Sequence, residues 1–554
     1  MDEPIFGTLA TQELRLVHHR ATRSGLQHRY AIEPPDPAPG QPVVLSVDVG
    51  PDVAVDRIAC YYTTDGSDPA GAGGVPARGE AILLNPGETE WDTLLWGYRT
   101  RWLGLLPPQP EGTLIRYRIG AWESGRPEIF ADWPDARAAS EEAAKAYFRH
   151  LPPPDHPGQG DPSKGVVFTY RVDRLKPPDW AREAVIYHIF VDRFHPGEGR
   201  RWQQTDDLRR LSGGTLWGVR DRLDYIADLG ASCLWLSPVF PSPSIHAYDA
   251  TDDRRVEPRL GGDEALHALV EEAHRRGLRV MLDLVCNHIS NEHPFFREAL
   301  ANPRSPYREW FEFDDSEIGY RCYFGVRTMP EIDLHHPAAR EWMLETGRFW
   351  LREFHIDGYR LDYAQGPGPG FWAEFWAACK SEKRDSFCFG EVVEPPDTQR
   401  QYIGRMDGLL DFHWAYALRQ SLARKQWSSD RLERFLEAHR SYFPESGFLL
   451  PTFLDNHDMD RFLFVAGNDG ERLREAVRLQ MESPHPPVIY YGTEVGMTQA
   501  AGKASLKGLE PSREPMVWDD RQDRGLLQFY KDLIRRRQEK RPWEAAHPTA
   551  EVNP

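Results

Sequence analysis

Between residue 178 and the end of the chain, short apolar runs alternate with amphipathic stretches eight times over. The runs are VIYHIFV (185–191), CLWLSPV (233–239), LRVMLDLV (278–285), HIDGYRLD (355–362), SFCFGEV (386–392), GLLDF (408–412), GFLLPTFL (447–454) and PVIYYG (487–492). Strands this continuously apolar must be buried on both faces, as in a parallel sheet covered by helices. The stretches between them, such as DEALHALVEEAHRRG (263–277), PAAREWMLETGRFWLREF (337–354) and GLLQFYKDLIRRRQE (525–539), repeat their apolar positions at helical spacing. Eight such units in roughly 360 residues predict an α/β fold of the (β/α)8 TIM-barrel type. A doubly wound open sheet is the alternative, but no glycine-rich phosphate loop follows the first strand. Residues 289–335 lack a strong helical pattern and read as an insertion between the third strand and its helix.

Residues 1–150 have a different texture. LRLVHH (14–19), VVLSVDV (43–49), RIACYYTT (57–64), AILL (81–84) and LIRYRIGAW (114–122) read as strands, separated by turn clusters such as DGSDP (65–69) and NPGE (85–88). Strands at this spacing predict an N-terminal, immunoglobulin-like β-sandwich, a candidate carbohydrate-binding or dimerisation module. Residues 151–177 open with LPPPDHPGQGDPSKG and read as a Pro/Gly-rich linker, leaving 178–554 for the barrel domain. The chain has 67 basic and 85 acidic residues, a formal charge of −18, which argues against nucleic-acid or anionic-membrane partners. Neither a basic-then-apolar leader nor an 18-residue apolar run occurs, so a cytoplasmic location is expected of the chain as given. Six cysteines without a C-x-x-C pair are too few for a disulfide scaffold, and Cys233, Cys286 and Cys388 read as small core residues.

In a barrel the chemistry sits at the carboxyl ends of the strands. There the second strand runs into SIHAYDATD (244–252), the third ends DLVCNH (283–288), the fourth GYRLD (358–362), the fifth GEVVE (390–394) and the seventh FLDNHD (453–458). Asp362, Glu391 and Asp458 thus converge on one mouth, with His288 and His457 in the same layer. Arg360 and Asp362 are two apart on a strand and face the same way, so the guanidinium is expected to hold Asp362 ionised, as a nucleophile requires. Glu391, after the apolar run FCFG, is expected to be half-desolvated and protonated, a general acid. One charged and one neutral carboxyl group suit glycoside hydrolysis with retention.

These ordered motifs resemble the α-amylase family of retaining α-glucan enzymes, nearest the neopullulanase, cyclomaltodextrinase and maltogenic-amylase group. MPEIDL (329–334) resembles the segment closing the family's insertion, and VIYHIFVDRF (185–194) and PVIYYGTEVGM (487–497) resemble its first and last strands. The resemblance implies Asp362 as nucleophile, Glu391 as acid/base and Asp458 as third carboxylate. It implies that Arg360, His288 and His457 contact the sugar, that Tyr248 stacks beneath it, and that Asp249 fixes the tyrosine loop. The implied reaction is double displacement on α-1,4 bonds of starch-like, cyclic or oligomeric glucans. A 4-α-glucanotransferase on the same site and a non-catalytic glucan-binding protein are the alternatives. The resemblance also implies a homodimer through the N-terminal domain.

Departures from the family pattern set further expectations. YAQGPGPGF (363–371) lacks the Lys-His pair that follows many relatives' nucleophile, and GEVVEPP (390–396) lacks an aromatic residue after the acid/base. HPGEGRR after DRF (192–194) offers only Glu198 toward calcium, and Asn287 matches a residue that ligates a structural calcium in many relatives, with a plain hydrogen-bonding role the alternative in this chain. No cofactor is expected to be required. The usual C-terminal β-sandwich is expected to be absent, because the chain ends soon after RRRQE (535–539). Trp91, Trp96 and Trp102 offer a sugar platform, with burial against the barrel or a dimer partner favoured.

Overall fold

The computed structural model describes residues 12–133, 165–203, 207–443, 447–503 and 510–541. The chain divides into two compact units: Met1–Leu175 with Trp372–Glu374 and Val393–Arg405, and the remainder, Lys176–Phe371, Phe375–Val392 and Met406–Pro554.

Among the described residues the first unit holds two five-stranded antiparallel sheets and a two-stranded one, Ala70–Ala72 with Val75–Arg78. Val43–Val49 and Gly97–Leu106 form the centre of one, flanked by Asn85–Asp92, Leu26–Gln27 and Ile32–Glu33. Leu114–Trp122 and Arg57–Thr63 form the centre of the other, flanked by Glu80–Leu83, Ile129–Phe130 and Phe168–Arg171. Their inward residues, among them Leu45, Val47, Ile58, Cys60, Tyr117, Ile119 and Phe168, share one core, the sandwich arrangement. Three local readings need correction. LRLVHH belongs to a helix, Gln12–Ala21, because six residues mixing apolar and basic side chains are too few to separate the two periodicities. NPGE is not a turn but opens the strand Asn85–Asp92, whose pairing slips between Pro86 and Thr89 and so tolerates the proline and glycine. Of the linker reading, residues 151–164 lie outside the described residues, whereas Phe168–Arg171 is a strand paired with Leu114–Trp122.

The second unit is built on eight parallel strands: β1 (Ile186–Ile189), β2 (Cys233–Leu236), β3 (Arg279–Val285), β4 (Gly358–Asp362), β5 (Phe387–Gly390), β6 (Gly408–Leu409), β7 (Thr452–Phe453) and β8 (Pro487–Tyr490). Each pairs with its sequence neighbour except β6 and β7. A parallel bridge between Gly408 and Leu449, three residues before β7, joins those and completes the ring. Leu234, Leu282, Tyr359, Leu361, Phe387 and Phe389 are fully buried; each large apolar side chain buried this way stabilises the fold by about 1.5–3 kcal/mol. Helices follow the strands, including Gly262–Arg275, Pro337–Glu353, Gly368–Glu382, Ser429–Tyr442, Gly470–Glu482 and Arg524–Lys540. The insertion carries one α-helix, Pro294–Ala301, and two 3-10 turns, Arg308–Trp310 and Tyr323–Gly325, and returns at MPEIDL, where Glu331 bridges His288 and the Ile332 amide donates to the Asn287 carbonyl at 2.9 Å. No helix among the described residues is long and apolar enough to cross a membrane.

Candidate active site

The site grows from one residue of β4. Arg360 is completely buried, and its Nη1 donates to Asp362 Oδ1 at 2.7 Å and to Asp283 Oδ1 at 2.8 Å. Its Nη2 stands 2.8 Å from Glu391 Oε2, an ion pair off the hydrogen-bond line. The geometry follows from strand rules. Asp362 is two residues beyond Arg360 on the same face, and Asp283 is the register partner of Arg360 on β3. Glu391 is the first residue past β5. One guanidinium therefore gathers carboxylates from three adjacent strands.

Burial pushes the Asp362 carboxyl up to about 7; Arg360 opposes the rise and Asp283 adds to it. Burial likewise pushes Glu391 up to about 7, against Arg360 and with Asp362. This corrects the expectation that Arg360 alone keeps Asp362 ionised and that only Glu391 is raised. One cation shared among three buried acids cannot neutralise them all. The pair therefore titrates jointly, holding one proton between them near neutrality. The aligned hydrogen bond from Arg360 favours the charge on Asp362. Glu391 instead receives the Tyr363 amide at 3.2 Å and the misaligned Nη2.

The third carboxylate lies in a different environment. Asp458, in the loop after β7, keeps 42% of its side chain exposed. Its Oδ2 is 2.9 Å from His457 Nε2, and its Oδ1 accepts from Arg513 Nη2 at 2.6 Å. Burial alone would raise this carboxyl, but His457, Arg513 and Lys503 outweigh it and hold the group well below the usual carboxylate range. His457 is itself buried and depressed to about 4, so its ring acts as a neutral hydrogen-bonding group. Tyr248 lies parallel to that ring at 5.4 Å, and its hydroxyl meets His457 Nε2 at 2.6 Å and Asp283 Oδ2 at 3.0 Å.

The remaining predicted residues surround this centre. Asp249 is buried and accepts hydrogen bonds from Ser242 Oγ at 2.7 Å and from Ser244 Oγ, tying the loop that carries Tyr248. Buried His288, depressed to about 3, stacks on Tyr323 of the insertion at 4.6 Å. Its Nε2 finds no hydrogen-bond partner among the described residues. The Asn287 side-chain amide lies 3.2 Å from His288 Nδ1. No group of three or more His, Cys, Asp or Glu side chains suited to a metal ion occurs among the described residues.

Three residues of the site escape the strand-end reading. Asp283 is the first letter of DLVCNH and faces Arg360, a signal the register of β3 and β4 would have shown. Tyr363 acts through its backbone amide, which no side-chain pattern reveals. Arg513 sits in the long loop after β8, where no periodicity marks it.

With this geometry in place, comparison with known proteins shows the class. The family described as "Alpha amylase, catalytic domain" matches residues 188–539, and the chain belongs to the α-amylase family. It is 39% identical over 369 residues to Alpha-amylase 2 of Dictyoglomus thermophilum, covering 66% of this chain and 64% of that protein. It is 35% identical over 400 residues to Neopullulanase 2 of Thermoactinomyces vulgaris, covering 68% of this chain and 66% of the relative. The chain thus matches just under two thirds of the length of these curated relatives. A solved structure of a cyclomaltodextrinase shares the fold over 93% of this chain and 84% of its own, with a TM-score of 0.62 at 24% identity.

Proposed function

We propose that the chain hydrolyses α-1,4-glucosidic bonds of starch-like, cyclic or oligomeric α-glucans with retention at the anomeric carbon. The observation that carries this is the single guanidinium of Arg360 in contact with both Asp362 and Glu391. It supports a pair that shares one proton, the state double displacement needs. In the first step an Asp362 carboxylate oxygen attacks the anomeric carbon, the bond to the glycosidic oxygen breaks, and the Glu391 proton passes to that oxygen. In the second step water attacks the same carbon, gives its proton to Glu391, and releases Asp362.

Asp458, ionised across neutral pH, takes sugar hydroxyls and favours the charged transition state. His288 Nε2, His457 and Arg360 supply further polar contacts, and Tyr248 supplies the apolar face beneath the ring. Asn287 acts as a hydrogen-bonding residue to His288. The names alpha-amylase and neopullulanase borne by similar proteins support α-glucans as substrates. The test is product analysis on starch, pullulan, cyclodextrin and sucrose side by side, with the anomer of the first product followed by proton NMR. Maltooligosaccharides released as α-anomers are expected. Release of β-anomers, or longer oligomers dominating over glucose and maltose at high maltotriose, would overturn the hydrolytic reading.

A further inference from the structure

Arg513 is bound to the third carboxylate from outside the strand-end motifs. Its Nη2 donates to Asp458 Oδ1 at 2.6 Å, while its Nε donates to the His457 carbonyl at 2.7 Å. The same guanidinium lies over the Phe190 ring at 5.3 Å. A cation fixed at three points, including the backbone of the residue before Asp458, does more than neutralise charge.

We propose that Arg513 is a positioning residue for Asp458, holding its carboxylate oriented and ionised for the transition state and adding positive field at the carboxyl groups of the mouth. The inference rests on the hydrolytic reading above and adds to it a residue of the loop after β8. The fields at Asp458 come from every side of the mouth. His457 is its neighbour, Arg513, Glu510 and Lys503 approach from the loop after β8, and His246 approaches from the loop after β2. Tyr248 in the loop after β2, His188 on β1, Asp362 on β4 and Glu391 after β5 share that field. Of the cations, Arg360 is engaged with Asp283, Asp362 and Glu391, and Lys503 reaches the Asp458 backbone carbonyl at 2.7 Å rather than its carboxylate. Arg513 is the full positive charge in direct contact with the Asp458 side chain among the described residues.

The sign of the effect follows. Removing a cation makes every nearby carboxyl harder to ionise. Asp458 and Asp362 must be charged to work, so activity is lost earlier as pH falls. Glu391 must be protonated to act as acid, so it keeps its proton to higher pH. Both limbs of the profile therefore move the same way, toward alkaline pH.

The experiment measures kcat/KM against pH on maltotriose for wild type, Arg513→Lys, Arg513→Met and Arg513→Gln, with unfolding temperatures as a folding control. The Met and Gln variants are expected to lose roughly 10–100-fold, mainly in kcat, and to shift both limbs up by about half a pH unit or more. The Lys variant should restore the wild-type limbs. Unmoved limbs in the neutral variants, whatever the fall in rate, or a Lys variant that behaves like Met, would overturn the proposal. A wild type inactive on every α-glucan would instead sink the hydrolytic reading. The carbon-13 titration of the Asp458 carboxyl would then decide the clamp alone, its midpoint rising in Met and not in Lys if the clamp exists and rising in neither if it does not.

Discussion

Arg360 offers one guanidinium to Asp283, Asp362 and Glu391, and that shortage of positive charge sets the chemistry of the site. Because burial lifts Glu391 from its usual range to about 7, the folded protein binds its proton more tightly than the unfolded chain does. The stability this confers is fully present below the unfolded value and is lost as pH rises toward about 7. Glu391→Gln, which cannot ionise, should therefore gain stability relative to wild type as pH rises from 5 to 8, as unfolding temperatures across that range would show. The same variant should lose about 10²–10⁴-fold in kcat on maltooligosaccharides, and much less on an aryl α-glucoside whose leaving group needs no proton. A second expectation concerns the coupled pair. With Asp362 and Glu391 both near 7, kcat/KM should be bell-shaped and centred close to neutral pH. At this scale the sequence placed Asp362 at the end of β4 and Glu391 just past β5, where both reach Arg360, and Asp458 in the loop after β7. It did not show their ionisation, because that depends on how many acids share Arg360, and Asp283 entered the set only through the register of β3 on β4.

At the scale of elements, β4 has to lie close against β5 for Asp362 and Glu391 to reach the same guanidinium. Gly358 opens β4 with a φ of 152°, and a Cβ there would fall 1.9 Å from the Phe387 carbonyl oxygen of β5. Gly358→Ala should cost about 1–3 kcal/mol from backbone strain alone and more from the displaced strand. Urea denaturation would measure the stability loss, and activity should fall with it as the two carboxyl groups separate. The eight strands were legible because burial on both faces writes itself as continuous apolar runs. The first helix and the strand Asn85–Asp92 were not, since a short mixed run carries both periodicities and a bulged strand accepts the proline and glycine that usually mark a turn. The insertion shows its α-helix, Pro294–Ala301, only weakly in sequence, and its function in the fold is the return of Glu331 and Ile332 onto His288 and Asn287.

At the scale of the whole molecule, the three tryptophans grouped by sequence separate by exposure. Trp102 is buried in the core of the sandwich, whereas Trp91 and Trp96 are 46% and 75% exposed and pack edge to face at 5.6 Å, with Tyr98 5.1 Å from Trp91. Alternation along Gly97–Leu106 could have separated Trp102 from the others, because it falls on the inward phase of that strand. If the family resemblance extends to a homodimer through the N-terminal unit, this exposed aromatic group is the surface it would use. Sedimentation velocity should show a dimer that Trp91→Ser with Trp96→Ser converts to monomer; a monomeric wild type would refute it. The central claim, that Asp362 attacks the anomeric carbon, is tested most directly by the hydrolysis rate of Asp362→Asn on maltotriose. The account predicts a fall of at least about a thousandfold with folding intact, and wild-type turnover by that variant would contradict it.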